Sequence, residues 1–162
     1  MDPNERIFDD SPRFRPPLRG CVARDLRLAA ALRSSYVDTF SRIAANVYRS
    51  LLCNGKSASQ EELFEVLARR DLEQFRLLGE LLIALGGEDA AILTRPQGRR
   101  QHYCASTFPT DALAEALAEC RRSIDRFQTL MSATGDRVVR SLLSGLISDE
   151  EREIRTIERF LE

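Results

Sequence analysis

Residues 67–87 read LARRDLEQFRLLGELLIALGG. Extended back to Phe64, the stretch carries apolar side chains at Phe64, Leu67, Leu78, Leu81 and Leu85. That three-and-four spacing is the stripe a bundle helix buries, and Gly86 and Gly87 stop it. In the middle of the stripe the spacing lands on Asp71 and Gln74 instead of apolar residues. The stretch therefore predicts a long helix with a polar break at its centre.

Working outward, the segment before it has no glycine or proline from Cys21 to Asn54 and favours helix over about 23–53. Its core stripe reads Leu32, Tyr36, Thr39, Ile43 and Val47, with Phe40 and Leu51 alongside. The turn CNG at 53–55 ends it, and Ser59 with Glu62 fits a capping box that restarts the second helix. A third helix opens at Thr110 and Asp111 and runs to about Ala133. Its stripe is Leu113, Leu117, Cys120, Ile124, Phe127 and Met131. TGD at 134–136 is a tight turn, and the fourth helix follows, with Val139, Leu143, Leu146, Glu150, Glu153, Ile157 and Phe160 on one stripe.

No strand pattern competes, so the fold class is all-α. The organisation is an extended arm over 1–22, rich in proline, followed by one four-helix domain over 23–162. A long crossover at about 88–109 joins two helical hairpins, which is the ferritin-like form of the bundle. The crossover holds the single histidine, His102, beside Tyr103, Cys104 and Phe108. It reads as a strap across the bundle and not as a catalytic Cys/His pair, because no orienting third group accompanies it.

The bulk numbers exclude several classes. There are 162 residues, 24 basic against 25 acidic, for a net charge of −1. That balance argues against a nucleic-acid binder, and no apolar run is long enough to span a bilayer. The opening MDPNERIFDD is not a secretory signal, so a cytoplasmic chain with its four cysteines reduced is expected. One histidine excludes every site that needs two imidazoles.

The polar interruptions fall at mid-helix: Thr39, Asp71 with Gln74, Cys120, and Glu150 with Glu153. Mid-helix residues of antiparallel helices meet at one level, so these positions are expected to form one buried cluster. Asp71/Gln74 and Glu150/Glu153 are each i, i+3, which projects both members from one face. A buried carboxylate without a partner is costly. Three remedies are open: an inward-reaching base, either Arg42 or Arg121; protonation; or one metal ion on oxygen ligands and the Cys120 thiolate.

The segments RIAANVYRSLL, LARRDLEQFRLLGELLIALGG, GRRQHYCASTF, RRSIDRF and LISDEEREI resemble the bacterial ferritin-like family allied to rubrerythrin and manganese catalase. The resemblance covers most of the chain. It implies a two-metal centre whose ligand positions fall at Thr39, Asp71, Gln74, Cys120, Glu150 and Glu153, with Asp38 replacing Thr39 only if the register slips. Glu150 alone keeps its ligand type; Asp71 is shortened, and both histidines are replaced. The expectation is a non-catalytic bundle that has lost the centre, needs no cofactor, and self-associates in a structural or assembly role. The alternative is a reduced site of Asp71, Gln74, Cys120, Glu150 and Glu153 holding a single iron, manganese or zinc ion for storage or oxidative protection.

Overall fold

The computed structural model describes residues 18, 20–93 and 109–162, except for the side chains of 109 and 110. Among these it is an all-helical bundle with no strand. α1 spans Leu26–Cys53, α2 Ala58–Gly86, α3 Pro109–Ala133 and α4 Arg137–Leu161. The predicted arm before residue 18 and the crossover residues 94–108, with His102, Tyr103, Cys104 and Phe108, lie outside the described residues.

Local chemistry sets the helix ends. Asp25 caps α1, its carboxylate accepting from the amides of Arg27 and Leu28 at 3.0 Å. The cap of α2 is Ser57 and not the expected Ser59: the Gln60 amide donates to the Ser57 hydroxyl. The helix thus starts two residues earlier than the spacing of Ser59 and Glu62 suggested, and the Ser57 amide donates to the Cys53 carbonyl, so the reciprocal half of a capping box is not made. Asp136 caps α4 through the amides of Val138 and Val139. Gly55, at φ +72°, makes the left-handed turn after α1. At 88–91, where the crossover was expected to begin, a short 3₁₀ turn continues from α2 instead. Arg33 of α1 straps it down by donating to the carbonyls of Ala90 at 2.6 Å and Ile92 at 2.5 Å.

α1 and α2 form one antiparallel hairpin; the Asp25 amide at the start of α1 donates to the Leu85 carbonyl at the end of α2. α3 and α4 form the other. Two apolar zones fill the interior. One joins Leu28, Leu32, Leu81 and Leu85 to Phe127, Leu130, Val139 and Leu143. The other joins Cys53, Leu63, Phe64 and Leu67 to Leu113, Ala116 and Ile157. Each fully buried leucine contributes roughly 1.5–3 kcal/mol relative to exposure. α2 therefore ends in the first zone, and α3 begins in the second, at the opposite end of the bundle.

The expected stripes of α2 and α4 are buried, apart from partly buried Phe160. The second half of α1 differs from expectation. Val47, Phe40 and Leu51 are exposed and Ile43 is only half-buried. The inward residues are Thr39, Arg42, Asn46, Arg49 and Cys53. From its midpoint onward α1 turns polar groups to the interior and apolar groups to the outside.

A candidate functional site built around a buried arginine

Between the two apolar zones lies a polar layer to which all four helices contribute. Thr39, Asp71, Gln74, Cys120, Glu150 and Glu153 are all buried, with Asp71 and Glu150 at 0% exposure. The structure brings the sequence-derived positions into one network, with Arg42, at 6% exposure, among them.

Arg42 Nη1 lies 2.6 Å from Glu150 Oε1, and Nη2 lies 3.2 Å from Glu150 Oε2. This two-pronged seat is the strong geometry for guanidinium and carboxylate. Nη2 also lies 2.8 Å from Asp71 Oδ1 and 3.4 Å from Glu153 Oε2. It approaches Cys120 Sγ at 3.8 Å, while Nη1 donates to Ser123 Oγ at 2.9 Å. The contact with Asp71 Oδ1 is an ion pair and not a hydrogen bond, because that oxygen is out of line with the N–H groups. Arg42 Nε and Ser35 Oγ are buried without a hydrogen-bond partner among the described residues. Gln74 donates to Glu150 Oε1 at 3.1 Å and approaches Thr39 Oγ1 at 3.5 Å.

A second arginine extends the layer toward solvent. Asn46 donates to Asp71 Oδ2 at 2.8 Å and accepts from Arg49 Nη1 at 2.8 Å. Arg49 grips Glu119 with both nitrogens at 3.0 Å and reaches Glu115 at 3.4 Å. The sequence reading missed Asn46, Arg49, Ser123, Glu115 and Glu119. The available signal was the spacing of Thr39, Arg42, Asn46 and Arg49, which is three, four and three.

Of the two bases considered, Arg42 turns inward, whereas Arg121 is exposed and pairs with Glu158 at 3.3 Å. Asp38 does not enter the layer; it pairs with Arg126 of α3 at the surface. The register places Thr39 inside.

Arg42 faces three acids, so its charge cannot balance all of them if all are ionised. Burial pushes Glu153 well above the usual carboxylate range, reinforced by repulsion from Glu150 and Asp71 and opposed by Arg42 and, less, by Arg70. Burial likewise raises Asp71 to about 7, with Arg42 and the Asn46 hydrogen bond pulling down and Glu150 pushing up. The Cys120 thiol is raised by burial against the opposing pull of Arg42, with Glu153 and Glu150 adding to the rise. Arg42 itself is held above its ordinary value: desolvation opposes the charge, and Asp71 and Glu150 outweigh it. All three shifts favour the protonated forms of Asp71, Glu153 and Cys120.

Cys120, Glu150 and Glu153 offer ligand atoms within 4.8 Å of one another. They do not fit a metal ion while Arg42 is in place. Its guanidinium nitrogens occupy the cationic position among these donors, at 2.6–3.8 Å from each. The set has no imidazole.

Comparison with protein-family models, with characterised proteins and with solved structures gives no match. Among the described residues no helix is long and apolar enough to cross a membrane.

Proposed function

We propose that the chain is a non-catalytic bundle of the ferritin-like type, in which an arginine takes the place of the metal centre and the role is structural, in assembly with copies of itself. The end of α2 and the start of α3 lie at opposite ends of the bundle, as a long crossover between two hairpins requires. The observation that carries the reading is the seat of Arg42: one guanidinium lies within 3.4 Å of Asp71, Glu150 and Glu153. A fixed organic cation can neutralise carboxylates and hold four helices in register. It cannot cycle electrons or open a coordination position to oxygen or peroxide.

One observation favours a second reading, a reduced single-ion site: the close grouping of Cys120, Glu150 and Glu153. In that reading an iron, manganese or zinc ion displaces Arg42 and deprotonates Cys120. Elemental analysis of protein purified from metal-supplemented cells separates the two. The arginine-centred reading expects less than about a tenth of an equivalent of metal. A near-stoichiometric ion that Glu150→Ala removes would overturn it.

A further inference from the structure

Between Thr39 and Cys53 the only charged residues of α1 are Arg42 and Arg49, and both point inward. The outer face of that half-helix carries Phe40, Ala44, Val47, Tyr48 and Leu51, all exposed, and no charge. Leu51 is 64% exposed and Phe40, Val47 and Tyr48 are 46–47% exposed. On α2, Phe75 stacks on Tyr36 with ring centroids 4.3 Å apart and meets Phe40 at 5.6 Å. One turn before it, Leu72 adds another side chain at 46% exposure. The outer face of α4, by contrast, carries Glu151, Arg152 and Arg155. A contiguous exposed apolar face without charge marks an interaction site.

We propose that this face is a two-fold interface with a second copy of the chain, α1 packing antiparallel on α1 about Ala44. Two features select a copy of itself as the occupant. The first is self-complementary spacing: Phe40 and Tyr48 lie four residues either side of Ala44, and Val37 and Leu51 lie seven either side. In an antiparallel pair each aromatic meets the other aromatic of the second copy, and the small Ala44 lets the two backbones approach at the axis. An isologous contact demands such a pattern. The second is area. With aromatic side chains of about 200 Å² and aliphatic ones somewhat smaller, the exposed fractions of Phe40, Val47, Tyr48, Leu51 and Leu72 sum to about 450 Å². That is over half of the ~800 Å² per partner of a standard interface, before the half-buried flanking residues are added.

The proposal deepens the assembly role proposed above and rests on it. It also accounts for the inside-out character of α1: the arginines serve the centre, and the apolar side chains serve the second copy.

The test is sedimentation equilibrium on the full chain at about 10 μM, the weak end of what interfaces of this size reach. The wild type is expected to be a dimer. Ala44→Arg sets two like charges against each other at the axis on an exposed helical position. It is expected to weaken the dimer at least about a hundredfold with helicity unchanged. As a second readout, Ala44→Cys in a Cys21→Ser background is expected to crosslink between copies on oxidation. Leu26→Cys in the same background is not: 18 residues from the axis at ~1.5 Å each, its two copies lie ~54 Å apart. A monomeric wild type, a dimer indifferent to Ala44→Arg, or crosslinking at residue 26 as fast as at 44 overturns the interface. The readouts are separable from the metal test. A metal-free monomer rejects the interface and the assembly role together, a metal-free dimer indifferent to Ala44→Arg rejects the interface alone, and a metal-loaded dimer rejects the arginine-centred reading alone.

Discussion

Replacing Arg42 with methionine removes the guanidinium seated among Asp71, Glu150 and Glu153 while keeping an unbranched chain in its place. Arg42 is 6% exposed, and Asp71 and Glu150 are fully buried, so water cannot take over its role without the layer opening. In the variant, the Glu150 carboxylate loses the fork that holds it at 2.6 and 3.2 Å and stays buried beside Asp71 and Glu153 without Arg42. Removing one partner of a buried pair costs roughly 3–5 kcal/mol. Asp71, raised to about 7 by burial, is protonated at pH 5, so the repulsion among the acids that Arg42 offsets is smaller there. Arg42→Met is thus expected to be destabilised by about 4 kcal/mol at pH 7 and by less at pH 5, measured by urea unfolding followed by circular dichroism. A loss below about 1 kcal/mol at pH 7, or one that does not shrink at pH 5, would refute the claim that this arginine neutralises the layer.

The wild-type protein should itself be more stable at pH 5 than at pH 8. Asp71 is raised to about 7 in the folded state, from an ordinary value near 3.8. The folded protein therefore binds more protons between those values, and stability present below the lower value is lost as pH rises through the upper. Asp71→Asn, which keeps shape and removes the titration, should flatten that slope in urea melts across the pH range; an unchanged slope would assign it elsewhere. Glu153 is raised in the same direction, so Glu153→Gln should further flatten the alkaline side. Cys120 is buried and held as a thiol, so it should resist thiol reagents in the folded state while exposed Cys21 reacts. Cys120→Ala should cost less than about 1.5 kcal/mol, because a neutral core thiol behaves as a small hydrophobe; a larger loss would point to a structural ligand.

The helix count, the turns at 53–57 and 134–136, and the buried stripes of α2 and α4 were legible because apolar periodicity and capping residues act locally. The polar cluster was legible for the same reason in reverse: Asp71, Gln74, Glu150 and Glu153 interrupt an otherwise apolar stripe and so announce their burial. α1 was legible only in its first half. Beyond Thr39 both of its faces repeat at three and four residues, one as Phe40, Ala44, Val47 and Leu51, the other as Arg42, Asn46, Arg49 and Cys53. Hydropathy assigns the apolar face to the interior; the tertiary demand of three buried acids assigns the arginines there. That demand comes from α2 and α4, so no local window on α1 contains it. The choice between Arg42 and Arg121 was open for a related reason, since it depends on which helix face the partner helices already fill.

The central claim is that a guanidinium occupies the place a metal would take. The most direct measurement is a crystal structure of the protein soaked in manganese, with anomalous difference density calculated at the polar layer. The account expects no peak there, and Arg42 nitrogens within 3.4 Å of Asp71, Glu150 and Glu153. A strong peak among Cys120, Glu150 and Glu153, with the Arg42 side chain swung out of the layer, would contradict it.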